Sequence, residues 1–358
     1  MNEAASRRLH WIDFLRGLAV IGMIEAHVVD AFLNPADRTG WGFGRLNQFN
    51  GWVVPIFLFL AGLLQGRWVR QNWASPRPAA VLNVLPQVRR RLRYLGTILL
   101  LGYALQIHWL TWADGGQWMR SLGQIHVLHC LAVSLAGLLV GSQIARGRIS
   151  LVNYEVLVGA CGLLAVLTAP SVWQWVGEKN WPTPFTGYLT TAHGSLFPLL
   201  PWLGYVAAGS LASRWIERPN LYWWGFAGCI LLVPLADLWV VAESWLQPAH
   251  PSLFLSRLGM VFLLCFLAGK LSRWLPQPFF TPILWCGRHS LTLYVVHLTI
   301  LYGGLGLQPL ASWLGRDQSP SVVWGLFFFT LATTCAVGWL LLQLWAWACQ
   351  RRPLSAKN

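Results

Sequence analysis

The chain is predicted to be an all-α integral membrane protein of about ten transmembrane helices, with both termini in the cytoplasm. Three observations carry that prediction. Of 358 residues, 56% are hydrophobic and only 11% charged, with mean hydropathy +0.50, where a soluble domain carries about 25% charged residues. The apolar residues fall in long runs, as spanning helices require and the short alternating strands of a β-barrel do not. The cations gather on alternate loops, the signature of an oriented polytopic protein.

In chain order the expected spans are 12–33, 52–69, 94–112, 121–142, 151–170, 194–213, 221–242, 252–270, 283–304 and 321–347. Arg7, Arg8, Arg67, Arg70, Arg77, Arg89, Arg90, Arg91 and Arg93 fall on one side of these spans. Arg146, Arg148, Arg214, Arg218, Lys270, Arg273, Arg288, Arg351, Arg352 and Lys357 fall on the same side. The other side holds Arg38, Arg45, Arg120, Lys179, Arg257 and Arg316. The richer side is the cytoplasmic one, and topology accounts for a net charge of +14 without nucleic acid as a partner. The outer loops 34–51 and 171–193 are long enough to serve as lids or binding walls. The inner loop 70–93 carries Pro76, Pro78 and Pro86. No internal repeat or soluble segment interrupts the pattern, so residues 1–358 are expected to form a single membrane domain. The seven cysteines form no CxxC and lie in or at the start of apolar runs, which argues against a disulfide framework or a zinc knuckle. The first apolar stretch lacks a small-residue cleavage site and is expected to be retained.

That first stretch, Arg7 to Asp30, carries the chemistry. It reads as a membrane helix yet holds Asp13, Arg16, Glu25, His27 and Asp30, and ionisable groups at membrane depth are costly and mark functional sites. At about 100° per residue, the step from Arg16 to His27 closes almost three turns, so the two share a face about 16 Å apart along the axis. Asp13 and Asp30 lie one turn beyond each, and Glu25 points the other way. Histidine is the side chain suited to take a proton near neutral pH or to carry an acyl group. Asp30 is placed to hold its tautomer, as a carboxylate does in hydrolase triads. Asp13 and Arg16 have a structural alternative, an ion pair snorkelling at the cytoplasmic edge.

Four later segments add polar groups. Gln124, His126 and His129 mark either a cavity wall or interhelical hydrogen bonding; two histidines with no carboxylate nearby are weak grounds for a metal site. Between 195 and 211, Pro198, Pro201, Gly204 and Gly209 read as a kink and close packing, with Trp202 and Tyr205 as candidates to line a cavity. Ser290, Tyr294 and His297 follow at about one-turn intervals on a common side, and His297 is a second candidate for catalysis. Asn47, Asn50, Asp114 and His193 are polar groups on the outer side.

Arg16 followed by ten residues and His27 resembles the R-x10-H signature of the transmembrane acyltransferase superfamily. More closely, RRLHWIDFLRGLAVIGMIEAHVVDAF (7–32), WVVPIFLFLAGL (52–63), SLFPLLPWLGYVAAGSL (195–211) and GRHSLTLYVVHLTIL (287–301) resemble, in that order, the heparan-α-glucosaminide N-acetyltransferase catalytic-domain family. SLGQIHVLHCLAVSL (121–135) is similar to a further family segment. The resemblance implies a bacterial member in the inner (cytoplasmic) membrane. It implies transfer of acetyl from cytoplasmic acetyl-CoA to a hydroxyl or amine of a glycan or amino sugar outside. His27, Asp30 and His297 would then be catalytic. Arg16, Asp13 and Ser290 would lie near the CoA channel, with Arg67, Arg70 and Arg93 as candidates for its phosphates; topology or anionic-lipid contact is the plainer account of those three. Asn50, Gln124, His126, Trp202, Tyr205 and Tyr294 would line the acceptor cavity. No metal is expected, and self-association stays open. The sequence departs from the human lysosomal branch, where the catalytic histidine sits in the loop after the first span. A transporter with a buried Arg/Asp/His relay is the rival class.

Overall fold

The computed structural model describes residues 9–73, 79–106, 122–177, 183–191, 194–239, 248–274, 277–303 and 308–350. Arg7, Arg8, Arg77, Asp114, Arg120, Lys179, His193, Arg351, Arg352 and Lys357 lie outside these residues, as do the ends of the expected spans 94–112 and 221–242. The described residues are helical throughout, with no strand among them, and the chain is an all-α membrane protein. The helices are α1 (His10–Phe32), α2 (Trp41–Trp73), α3 (Ala79–Gln106), α4 (Val127–Ala145), α5 (Leu151–Gly177), α6 (Thr183–Leu189) and α7 (Leu199–Ala212). They continue as α8 (Leu221–Trp239), α9 (Pro251–Trp274), α10 (Gln277–Arg288), α11 (Ser290–Tyr302), α12 (Leu310–Leu314) and α13 (Pro320–Gln350). Among the described residues, α2, α4, α5, α9 and α13 are long and apolar enough to cross a bilayer on those grounds alone. With 23 residues, α1 is about 34 Å long and has the reach; its three carboxylates and one arginine set it apart.

Several expected boundaries move. The outer loop 34–51 is largely helix, because α2 already begins at Trp41 and runs 33 residues; a polar first segment projects beyond the apolar run without a breaker to stop it. The inner loop 70–93 shrinks likewise, since α3 starts at Ala79 and keeps Pro86 inside it. The expected span 121–142 begins only at Val127, with His126 as its N-cap, so Gln124 and His126 lie outside the helix. The expected span 194–213 keeps only 14 helical residues. Its proline-rich start breaks the ladder at Leu200 (φ −98°, ψ 122°), and the indole Nε1–H of Trp173 donates to the freed Leu200 carbonyl at 3.1 Å, as a backbone group in an apolar medium demands. The expected span 283–304 is two helices, parted at His289 (φ −109°, ψ 24°).

The chain clusters into two compact units, residues 1–53 with 276–358 and residues 54–275. In the first, α1 packs on α10, α11 and α13. The α1–α10 contact is a backbone-to-backbone approach: a Cβ at Gly17 would overlap the Ile283 carbonyl oxygen, and one at Gly287 the Asp13 carbonyl oxygen. The helix break follows two residues after this pinch. In the second, α5 packs on α7, α8 on α9 and α3 on α4. There Gly62 and Gly66 of α2 meet the Val206 and Ser210 carbonyls of α7, and Gly209 meets that of Phe59. Where lipid removes the hydrophobic drive between helices, such small-residue contacts let dispersion hold them. Gly17→Val is therefore expected to destabilise the first unit by about 3 kcal/mol, the upper range for an overpacked core, read as a lowered thermal midpoint in detergent.

Candidate active site

In the first unit α1 and α11 bring two histidines together. His297 Nδ1 lies 2.8 Å from the Leu293 carbonyl, and His27 Nδ1 2.9 Å from the Met23 carbonyl. A carbonyl only accepts, so both Nδ1 atoms carry the proton. His297 Nε2 stands 3.1 Å from His27 Nδ1 and must accept from it. This network assigns the tautomers and leaves His27 Nε2 as a bare lone pair. His297 is fully buried; its ring lies 5.0 Å from that of His27, and the Tyr294 ring packs edge-on at 5.6 Å. Partial positive charge on His27 would draw its Nδ1–H further onto His297. Replacing His297 by Leu is expected to cost about tenfold in turnover, one hydrogen bond's worth, with His297→Gln, whose amide oxygen accepts, recovering part of it.

Asp30 takes a different place from the one expected of it. Its carboxylate accepts from the Tyr302 hydroxyl at 3.2 Å and pairs with Arg316 at 3.2 Å and Arg38 at 3.5 Å. His297, not Asp30, meets the His27 ring nitrogen. Tyr302 connects the two groups, since its ring packs edge-on to His27 at 5.9 Å and its hydroxyl also lies 3.2 Å from the His27 carbonyl. Arg38 closes the helix end, donating to the carbonyls of Asp30 at 2.9 Å and Leu33 at 3.1 Å. These are carbonyls that a helix C-terminus leaves unpaired.

Toward the other end of α1, Arg16 Nη2 donates to Ser290 Oγ at 2.7 Å, and Asp13 pairs with Arg288 at 3.5 Å. The break at His289 puts Ser290 in the first turn of α11, so one helix carries Ser290 to Arg16 and His297 to His27. Sequence reasoning counted Glu25 among the costly ionisable groups of α1 but gave it no role. It is 7% exposed with Asn50 beside it, and its Oε1 has no partner among the described residues. Its position opposite His27 on the helix wheel made it look peripheral; the signal was its charge in an apolar run.

The remaining candidates belong to the second unit. Ser195 Oγ accepts from the Ile125 amide at 2.9 Å and donates to the Gly123 carbonyl at 3.1 Å, pinning the irregular stretch that holds Gln124 and His126. The Gln124 carbonyl accepts from Gln106, and His129 Nδ1 accepts from the His126 amide at 3.2 Å. Trp202 and Tyr205 sit in an aromatic cluster with Phe197 and Phe254. Arg70 is bound to Glu155, which also holds Arg214; neither sequence spacing nor the resemblance suggested this triad. Arg67 is half-buried and Arg93 exposed.

The chain is a helical membrane protein with a partly buried histidine pair and charges at both ends of one helix. A family model described as heparan-alpha-glucosaminide N-acetyltransferase, catalytic, matches residues 8–231, and the chain belongs to that family. Membership implies an acetyltransferase. His27 falls inside the matched stretch and His297 beyond it. No curated protein and no solved structure matches the chain.

Proposed function

We propose that this protein takes acetyl from cytoplasmic acetyl-CoA and delivers it to a hydroxyl or amine of a sugar on the outer side of a bacterial inner membrane, with His27 Nε2 as the general base. The observation that carries the reading is the paired-imidazole geometry, which presents an unprotonated Nε2 backed by His297. The acceptor's proton passes to Nε2 as its oxygen or nitrogen attacks the thioester carbonyl. The tetrahedral oxyanion then collapses, the C–S bond breaks, and the leaving thiolate takes the proton back from Nε2. Net, acetyl-S-CoA and the acceptor become CoA-SH and the acetylated acceptor. Arg16, Ser290 and the Asp13–Arg288 pair lie along the same face of α1, toward its cytoplasmic end, and would line the donor's path. Arg70 is committed to Glu155 and is not assigned to the donor. Ten spans and cytoplasmic termini accompany this reading through the positive-inside pattern.

The test is turnover of radiolabelled acetyl-CoA by the full chain in proteoliposomes, with cell-envelope extract as acceptor. Release of free CoA with label on an envelope sugar is expected. Label trapped on the protein, lost with His27, would make His27 an acyl carrier. Neither binding nor turnover of acetyl-CoA would sink the reading in favour of a transporter.

A further inference from the structure

In the second unit one cation stands in an apolar helix with no carboxylate paired to it among the described residues. Arg257 lies on α9, about 9 Å from its Pro251 end, and is half-buried. Its guanidinium carbon is 5.9 Å from the centre of the Trp202 ring, and it lies beside the Tyr205 hydroxyl. Trp202 is 6% and Tyr205 2% exposed. The Trp202 Nε1–H is buried without an acceptor among the described residues. A charge at membrane depth marks a ligand or a pathway. Guanidinium, indole N–H and phenol O–H all donate, and the chemistry that complements them is an oxyanion.

Beside this donor cluster runs an apolar groove of about 340 Å³ between α5, α7, α8 and α9. Gly159, Gly162, Gly204 and Ala208 make it smooth, and Leu163 and Phe254 wall it. Phe254 belongs to both features: it lines the groove, and its ring lies 4.4 Å from that of Tyr205. Hydrocarbon space and a cationic head site therefore meet at one side chain.

We propose that this face binds an anionic membrane lipid, with an alkyl chain in the groove and the headgroup phosphate on Arg257 and Trp202 Nε1. The groove offers nothing to a polar solute, and the guanidinium, linked to it through Trp202, Tyr205 and Phe254, selects the charge of the head. In the test, delipidated full-length protein in detergent is titrated with phosphatidylglycerol, phosphatidylcholine and soluble glycerophosphate, and binding is counted by native mass spectrometry. Phosphatidylglycerol is expected to bind about tenfold or more tightly than phosphatidylcholine, whose choline cation is repelled by the guanidinium beside the shared phosphate. Arg257→Gln erases that preference. Ala208→Phe, which fills the groove, weakens both lipids. Trp202→Phe keeps the ring beneath Arg257 and removes only the N–H; should Arg257→Gln not fold, its several-fold loss of phosphatidylglycerol affinity decides. Equal binding of the two lipids, or a preference that survives these head-site variants, overturns the proposal. Glycerophosphate binding as tightly as phosphatidylglycerol overturns the lipid occupant in favour of a soluble anion.

Discussion

His27→Ala is expected to lower acetyl transfer by about 10²–10⁴-fold, the usual contribution of a positioned general base, while the protein stays folded. Folding should survive because His27 contributes only its shared Nδ1–H bond and partial burial to the first unit, whereas the α1–α10 pinch at Gly17 and Gly287 holds the helices. The measurement is single-turnover release of CoA beside a thermal midpoint for the same preparation. His27→Gln sharpens it: glutamine retains a polar group for His297 but has no basic nitrogen, so it should be as inactive as alanine. Activity within a few-fold of wild type in a folded His27→Ala protein would remove His27 from the chemistry and leave the acetyltransferase family assignment standing.

The second large effect falls on stability. Glu155→Ala leaves Arg70 and Arg214 without the carboxylate that holds them both. Its side chain is 8% exposed, against 33% for Arg70 and 43% for Arg214. Breaking a wholly buried pair costs about 3–5 kcal/mol, but these two cations reach water and keep part of their solvation, so about 2–3 kcal/mol is expected. That corresponds to a fall of about 5–10 °C in the thermal midpoint. Arg70→Gln or Arg214→Gln alone leaves one partner and should cost less than half as much. The double variant strands a buried carboxylate and should exceed Glu155→Ala. An unchanged midpoint in Glu155→Ala would show that the triad is a surface pairing of no structural weight.

The helical class was legible because it rests on composition and run length, which are properties of the chain alone. The Arg16–His27 face was legible for a similar reason, since helical periodicity converts spacing into direction. The one-turn spacing of Ser290, Tyr294 and His297 was read the same way, but the break at His289 was not, because it follows a backbone pinch against α1 that no local signal announces. The role given to Asp30 shows the limit of proximity along a helix: it is one turn from His27, yet Tyr302, Arg38 and Arg316 compete for its oxygens. The partner at His27 Nδ1 instead comes from 270 residues away. The pairing of Glu155 with Arg70 and Arg214 across 85 and 59 residues is of the same long-range kind. The polar residues between Trp41 and Asn50 imitate a loop because helix propensity and hydropathy part company once a helix leaves the apolar layer.

The distance in sequence between the two histidines also orders events in time. His27 leaves the ribosome 270 residues before His297, and α1 is made long before the residues of α10 and α11 that meet Asp13, Arg16 and His27. At 12 and 13 residues, α10 and α11 are each too short to insert as independent spans, for which about 20 apolar residues are needed. They are expected to enter late, drawn in by Arg16, Asp13 and His27 already in place. A nascent chain would therefore hold a base without its His297 partner, slowed about tenfold, until its biogenesis is nearly over.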